Sequence, residues 1–182
     1  GVMLRAVPEY EAFVEVLPGI KPTSLMDIGS GLAAKTLLLT LHYPTVQTVH
    51  LIDGDGSLSH IRKQGSFRSI TKAWANVYLG QDFMNHNLPK ERQVIVTASL
   101  PPPGGPPLAL WDLIVSFRSW GHHYSVESYG KWVFDRLEPG GHVVLDIRNG
   151  TDGERKMKAF GFRKKAEIPD SSTKCVRTIF TK

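Results

Sequence analysis

Short apolar runs alternate with longer segments in which apolar residues recur at helical spacing. The apolar runs predict strands at residues 24–28, 46–52, 93–97, 112–117 and 142–147. The helical spacing predicts helices at residues 32–42, 74–85, 126–137 and 154–160. This order predicts a doubly wound α/β fold, in which a mostly parallel sheet carries helices on both faces.

The two ends of the chain extend this layout. Near the N-terminus, Phe13 and Leu17 lie at helical spacing and predict a covering helix at residues 9–17. Near the C-terminus, two runs at residues 162–168 and 174–180 are separated by PDSS and predict a hairpin at the sheet edge. The PPPGGPP segment at residues 101–107 predicts a stiff surface loop, because proline lacks an amide donor.

Composition indicates one globular domain, since 182 residues with 41% hydrophobic and 21% charged residues fit a single core. No apolar run approaches the roughly 18 residues that a membrane span needs, so we expect a cytoplasmic protein without a membrane partner. The chain has one cysteine, Cys175, which excludes an intramolecular disulfide and a cysteine-based zinc site.

The net charge of +5 is concentrated near the C-terminus. Residues 148–182 contain ten Lys or Arg and four acids, which leaves residues 1–147 at about −1. Such a basic face can attract nucleic acid by counterion release, or it can be a solvated helix and strand edge. It makes nucleic acid the second-ranked acceptor class.

A glycine-rich turn follows the first predicted strand. Asp27, Gly29, Ser30 and Gly31 lie between that strand and the next helix, at the sheet edge where α/β proteins bind ligands. Glycines let the chain turn sharply and let a ligand approach the backbone. An acid at this place suits the ammonium and sulfonium groups of S-adenosylmethionine, so the turn is a candidate cofactor site.

A second acid follows the second predicted strand. Asp53 lies 22 residues after Gly31, the spacing at which a carboxylate accepts hydrogen bonds from both ribose hydroxyls of a nucleoside cofactor. Asp55 is an alternative ribose ligand, although the end of the strand favours Asp53.

The segment SFRSWGHHY, residues 116–124, is the candidate substrate loop. Histidine suits a general base near neutral pH, and we favour His123 over His122 for removing a proton from an alcohol acceptor. Arg118 can hold an anionic substrate group, and Trp120 can form an apolar or sugar-stacking wall.

Metal-assisted transfer is an alternative for this loop. His122 and His123, with Asp146 or Asp112, would supply nitrogen and oxygen ligands. Neighbouring side chains of an extended segment point to opposite sides, and Asp112 opens its strand far from the carboxyl edge. We therefore expect no metal.

Other protein classes compete for the glycine turn. GSGLAAKT is one residue from a phosphate-binding P-loop, with Ala34 in place of the second glycine. An NAD-dependent oxidoreductase would need a third glycine where Ala33 or Ala34 stands. A non-catalytic binding module that keeps the fold is the remaining alternative.

Four segments together resemble class I, Rossmann-like S-adenosylmethionine-dependent methyltransferases, especially bacterial sugar O-methyltransferases: DIGSG, LIDGD, WDLIVSFRSWGHHY and LEPGGHVVLDIR. The resemblance implies a seven-stranded sheet that ends in an antiparallel hairpin, and methyl transfer to a hydroxyl of a small or sugar-like acceptor. Ala33 departs from the usual third glycine of the family. The resemblance implies cofactor contacts at Asp27, Gly29, Gly31, Asp53, Ala98 in the adenine edge, and Ser116 beneath the methyl donor.

Overall fold

The structure is a computed structural model that describes residues 2–54, 62–64, 67–69, 76–100, 109–168 and 174–182. The proline-rich segment at residues 101–107 and the alternative ribose ligand Asp55 lie outside the described residues. Of the helices within the described residues, none is long and apolar enough to cross a membrane.

Nine strands and five α-helices make up the described chain. The strands are β1 (Ser24–Ile28), β2 (Thr48–Ile52), β3 (Arg62–Gln64), β4 (Phe67–Ser69), β5 (Ile95–Ser99), β6 (Trp111–Ser116), β7 (Leu137–Arg148), β8 (Arg163–Ile168) and β9 (Cys175–Thr181). The helices are α1 (Val2–Val16), α2 (Ala34–His42), α3 (Val77–Asn87), α4 (Gly130–Arg136) and α5 (Gly153–Ala159), with a 3-10 turn at Val126–Ser128.

Seven strands form one sheet in the order β5-β2-β1-β6-β7-β9-β8. The first five of these are mutually parallel, whereas β9 runs antiparallel to both β7 and β8. The predicted doubly wound sheet and its C-terminal hairpin are therefore confirmed.

Strands β3 and β4 form a separate two-stranded sheet. The outermost strand β8 exposes three consecutive basic residues, Arg163, Lys164 and Lys165.

Apolar residues cover both faces of the sheet because neighbouring side chains of a strand point to opposite sides. Leu25 packs in one core cluster with Phe13 of α1 and Leu37 of α2. The next residue, Met26, packs in a second cluster with Val133 of α4. Each is fully or almost fully buried, and burying one such side chain stabilises the fold by about 1.5–3 kcal/mol.

Three predicted elements differ most from the structure in their boundaries. Helix α1 begins at Val2, seven residues before the predicted start, and contains Pro8. The predicted helix at residues 126–137 is divided, because the Ser125 side chain accepts from the Glu127 amide and caps a 3-10 turn before α4 begins. Strand β7 then starts at Leu137, five residues before the predicted strand at residues 142–147.

The amino ends of β1 and β6 are joined by Asp112. Its Oδ2 accepts from the backbone amides of Thr23 and Ser24, at 2.7 and 3.0 Å, and from both of their hydroxyls. A cleft of about 230 Å³ lies at this amino edge, beside Asp112 and His142. The glycine turn, by contrast, is at the carboxyl edge.

Candidate cofactor and substrate site

The glycine turn joins β1 to α2 through three residues in the left-handed backbone region. They are Gly29, Gly31 and Ala33, with φ of +79°, +55° and +56°. Glycine adopts this conformation without the steric cost that a Cβ imposes. The Gly29 amide donates to the carbonyl of Ile52, at 2.6 Å, and so fixes the turn to the end of β2.

Neighbouring elements enclose the turn on two sides. A Cβ on Gly29 would lie 1.9 Å from Ser119 Oγ, so only glycine fits beneath the loop that follows β6. A Cβ on Gly80 of α3 would lie 2.9 Å from the Gly31 carbonyl oxygen. A Cβ on Gly31 itself would meet no described atom within 4 Å. The turn therefore remains open at Gly31.

Asp27 lies buried at the end of β1, 3% exposed. Its Oδ2 accepts from the Thr36 hydroxyl, but its Oδ1 has no hydrogen-bond partner among the described residues. Burial raises the pKa of Asp27 to about 7, although the Thr36 bond and the charge of Lys35 oppose the rise. The Ser30 hydroxyl is likewise buried without a described partner. Because buried polar atoms are normally bonded, these two atoms are candidates for contact with a ligand.

Asp53 lies directly beside the turn, as its spacing predicts. Its Oδ2 accepts from the Gly31 amide at 2.6 Å, and its Oδ1 accepts from the Gly54 amide at 2.7 Å. Burial raises the pKa of Asp53 despite these two bonds, which lower it. Ala98 is on the adjacent strand β5, paired with Leu51 and half-buried, so the predicted adenine edge lies next to Asp53.

Ser116 is fully buried at the end of β6. Its hydroxyl donates to the Ile28 carbonyl at 2.7 Å and accepts from the Trp120 amide at 2.9 Å. Ser116 therefore fastens the segment at residues 117–124, which we name the 117–124 loop, to the end of β1.

Both candidate bases are in the 117–124 loop. The amides of His122 and His123 donate to the Ser119 carbonyl, at 3.1 and 2.7 Å, and the two imidazole rings are 4.7 Å apart. His122 is 8% exposed, and its Nδ1 has no hydrogen-bond partner among the described residues. Burial lowers the pKa of His122. His123 is half-buried.

Arg118, the second residue of the loop, has an unusual backbone conformation, with φ of +55°. Its amide donates to Asp146 Oδ2 at 2.9 Å, and its guanidinium lies 3.1 Å from the carboxylate of Glu9 in α1. The side chain proposed to hold a substrate anion therefore already contacts a carboxylate of the protein.

A buried charge cluster, which sequence reasoning missed, lies beneath the loop. The Asp146 carboxylate accepts from Arg177 Nε at 2.7 Å and from Arg177 Nη2 at 3.0 Å, and these residues are 0% and 1% exposed. Glu9 pairs with Arg177 at 3.4 Å and also with Lys35. We use the name buried charge cluster for Glu9, Lys35, Asp146 and Arg177; the exposed Arg118 contacts it from the loop. The available sequence signal is a charged residue inside an apolar strand, as in VVLDIR and CVRTIF.

The aromatic residues of this region differ from expectation. The prediction that Trp120 forms a ligand-stacking wall is wrong, because Trp120 is fully buried and its indole donates to the Val126 carbonyl. The sequence pattern assigns no role to Tyr124 or Tyr129. Burial raises the pKa of Tyr124 to about 12 and also raises that of Tyr129, and the charge of Asp53 contributes to both shifts. Two phenols therefore lie near the Asp53 carboxylate.

The competing site types fit less well. A P-loop uses its lysine and threonine for phosphate and metal, but here Lys35 pairs with Glu9 and Thr36 donates to Asp27. Among the described residues, no group of three or more His, Cys, Asp or Glu could hold a metal ion. Asp146 is occupied by Arg177, and Asp112 lies at the opposite edge of the sheet.

No protein-family model and no curated protein match the sequence. Solved structures do match. S-adenosylmethionine-dependent methyltransferase SibL is 15% identical with a TM-score of 0.62, over 96% of this chain and 55% of SibL. Ribosomal protein L11 methylase from Lactobacillus delbrueckii subsp. bulgaricus is 12% identical with a TM-score of 0.61, over 94% and 76%. Mitomycin 7-O-methyltransferase MmcR is 9% identical with a TM-score of 0.65, over 97% and 54%.

These matches show that the chain has the Rossmann-like fold of class I methyltransferases. It spans about half the length of SibL and MmcR. The same fold occurs in the 4+2 cyclase SpnF, which is 14% identical with a TM-score of 0.59, over 88% of this chain and 59% of that one. Fold alone therefore specifies neither the reaction nor the acceptor.

Proposed function

We propose that this protein binds S-adenosylmethionine and transfers its methyl group to an acceptor. The observation that carries the proposal is the juxtaposition of Asp27 and Asp53 at one glycine turn. Asp53 bonds the Gly31 amide at 2.6 Å, while Asp27 keeps a buried oxygen without a described partner. The methyltransferase fold supports the same assignment.

The residues at the turn suit the chemical groups of this cofactor. Asp27 would stabilise an ammonium group, because a buried carboxylate that lacks a partner gains most from a cation. Each oxygen of Asp53 accepts one amide and keeps a lone pair for a ribose hydroxyl. Ala98 would line the adenine, and the open side of Gly31 would admit the ligand. When bound, the cofactor supplies an electrophilic methyl group.

We propose a hydroxyl of a small or sugar-like molecule as the acceptor. In such a transfer the acceptor oxygen gains the methyl group and loses its proton, and an imidazole of the 117–124 loop would take that proton. Burial lowers the pKa of His122, which keeps its ring neutral and able to accept near pH 7. His123, the base favoured by the sequence, is its neighbour, 4.7 Å away between ring centroids.

The charges of the C-terminal face favour a small acceptor over nucleic acid. Lys158 pairs with Glu154 at 2.6 Å, and Lys164 pairs with Glu154 at 2.9 Å. Lys156 similarly pairs with Glu127 at 2.9 Å. Because these lysines already have acidic neighbours, the basic excess is weaker as a phosphate-binding surface than the sequence alone predicts.

Calorimetry with S-adenosylhomocysteine, ATP and NAD in parallel tests cofactor binding. We expect S-adenosylhomocysteine to bind, and binding of ATP alone would contradict the proposal. Transfer of labelled methyl from S-adenosylmethionine to a panel of sugar and phenolic hydroxyl compounds then tests the reaction. Binding without transfer to any compound, nucleic acid or protein would favour a non-catalytic module.

A further inference from the structure

The 117–124 loop is fastened to the sheet by a buried ion pair. Asp146 and Arg177 are directly paired across β7 and β9, and they are 0% and 1% exposed. Asp146 Oδ2 accepts two bonds, from Arg177 Nη2 at 3.0 Å and from the Arg118 amide at 2.9 Å. The same carboxylate oxygen thus links the ion pair to the first turn of the loop.

The residue held in this way has a strained backbone. Arg118 has φ of +55°, a conformation that costs a non-glycine residue about 1 kcal/mol or more. Such a conformation persists only where surrounding contacts impose it. The bond between the Arg118 amide and Asp146 is a contact of that kind. The guanidinium of Arg118 is held as well, 3.1 Å from the Glu9 carboxylate.

Strand β7 holds the loop at a second place, next to the histidines. The Arg148 amide donates to the Gly121 carbonyl at 3.0 Å. A Cβ on Gly121 would lie 2.8 Å from the Asp146 carbonyl oxygen, so the loop backbone lies directly against the strand. Residues 118 and 121 are therefore both fixed to the segment that carries Asp146, and His122 follows immediately.

We infer that Asp146 and Arg177 are positioning residues, which hold the 117–124 loop in the conformation that places its histidines for proton transfer. The role of the histidines rests on the proposed function. The mechanical hold on the loop does not, because it rests on the buried ion pair and its bond to the Arg118 amide.

The charges around His122 give a readout beyond stability. Burial is the largest influence and lowers its pKa. Asp146 raises the pKa, whereas Arg148, Arg118 and, from the segment before β9, Lys174 lower it; the ring of His123 packs beside it. Loss of the Asp146 charge should therefore lower the pKa of His122 further, which would not follow if Asp146 only added to the overall stability of the fold.

The test compares the double variant Asp146→Asn/Arg177→Met with Asp112→Asn. The double variant removes both buried charges together, so neither remains without its partner. Asp112→Asn is the matched control, because Asp112 also accepts backbone amides but lies at the amino edge. Nuclear magnetic resonance follows the titration of His122 and the hydrogen exchange of the Arg118 amide, and calorimetry measures S-adenosylhomocysteine affinity.

We expect the double variant to lower the pKa of His122, to speed exchange at Arg118 by about tenfold or more, and to keep cofactor affinity within about tenfold. With an acceptor in hand, kcat should fall by about a hundredfold. Asp112→Asn should leave all of these values as in the wild type. A folded double variant with wild-type His122 titration and Arg118 exchange would overturn the inference.

Arg177→Lys covers the case in which the double variant does not fold. It keeps the charge but loses the two-point contact with Asp146. We expect faster exchange at Arg118 and a His122 pKa close to that of the wild type, and unchanged exchange at Arg118 would overturn the inference. Failure of the wild type to bind S-adenosylhomocysteine would instead contradict the proposed function, and the exchange and titration results would still test the hold on the loop.

Discussion

The carboxylates at the two edges of the sheet have pKa values that are shifted in opposite directions. At the amino edge, hydrogen bonds from Thr23 and Ser24 outweigh the effect of burial and hold the pKa of Asp112 below its ordinary value. At the carboxyl edge, burial prevails over the available bonds and raises the pKa of both Asp27 and Asp53. One oxygen of Asp27 has no described partner at all.

This difference separates Asp112 from the two acids that we propose to bind the cofactor. Asp112 closes the ends of two strands and its bonds are already made, whereas the acids at the carboxyl edge would be stabilised by a ligand that supplies donors or positive charge. The cleft of about 230 Å³ lies at the amino edge, where the bonds of Asp112 are already made. Unsatisfied polar atoms indicate the carboxyl edge instead.

The largest difference between the two edges is expected in how the free energy of unfolding depends on pH. The pKa of Asp27 is raised from 3.8 to about 7, so folding retains a proton that the unfolded chain loses. The contribution of Asp27 to the free energy of unfolding therefore falls by roughly 4 kcal/mol as pH rises from about 4 to 7. Urea unfolding across this range should show a smaller fall in Asp27→Asn than in the wild type.

Asp112→Asn is the control for this measurement, and its effect has the opposite sign. The folded pKa of Asp112 is lowered, so its contribution to stability is present above its ordinary pKa and is lost as pH falls through the lowered value. Identical pH profiles for Asp27→Asn and the wild type would contradict the raised pKa of Asp27.

Loss of one member of the buried pair should have the next largest effect. Arg177→Met leaves Asp146 buried without its partner and should lower the free energy of unfolding by about 3 kcal/mol or more. Thr23→Val at the amino edge removes one of the donors to Asp112 and should cost about 1 kcal/mol. Urea unfolding at pH 7 compares the two, and equal losses would show that the pair is no more critical than a single hydrogen bond.

Alanine variants of the histidines at the two edges should differ in their rates of methyl transfer. If His123 is the base, His123→Ala should slow methyl transfer by about a hundredfold and leave S-adenosylhomocysteine affinity unchanged. His122→Ala, measured in parallel, identifies which ring carries the role. His142→Ala is the control, since His142 lies at the amino edge and contacts Lys165 at 2.9 Å. Full activity in both loop variants would exclude a general-base role for His122 and His123.

The two acids at the ends of their strands should differ in cofactor binding. Asp53→Ala should weaken the binding of S-adenosylhomocysteine by about 2 kcal/mol, the loss expected for hydrogen bonds to a charged group. Asp112→Ala should leave the affinity unchanged. Calorimetry with both variants makes this comparison, and wild-type affinity in Asp53→Ala would exclude a ribose contact at that residue.

The smallest effect is expected away from both edges. Lys158→Gln breaks an exposed pair with Glu154 in α5, 2.6 Å apart. Exposed pairs contribute little because water already solvates both charges. The midpoint of thermal unfolding should change by about 2 °C at most. A larger shift would mean that the exposed ion pairs of α5 contribute as much to stability as the charges at the carboxyl edge.

Local patterns were sufficient for the fold and for the glycine turn. The segment Ser24–Ile28 is a strand with the predicted bounds, because its three apolar residues, Leu25, Met26 and Ile28, are buried on the two faces of the sheet. Asp53 meets Gly31 because parallel neighbouring strands end at the same edge. Both inferences need only periodicity and the direction of two strands.

The buried charge cluster could not be predicted in the same way. Glu9 and Arg177 are 168 positions apart, and their contact depends on how α1 packs over the finished sheet. Trp120 was placed on the wrong side for a related reason. A tryptophan in a loop can face a ligand or the core, and only the packing against Val126 decides between them.

The three consecutive basic residues of β8 have a consequence for how the molecule behaves in a crowded solution. Arg163, Lys164 and Lys165 are exposed on the outermost strand of the sheet. A strand from another molecule that added itself there would bring its own backbone beside these charges, and two copies of β8 would repel each other. These charges therefore disfavour the addition of another strand at this edge of the sheet.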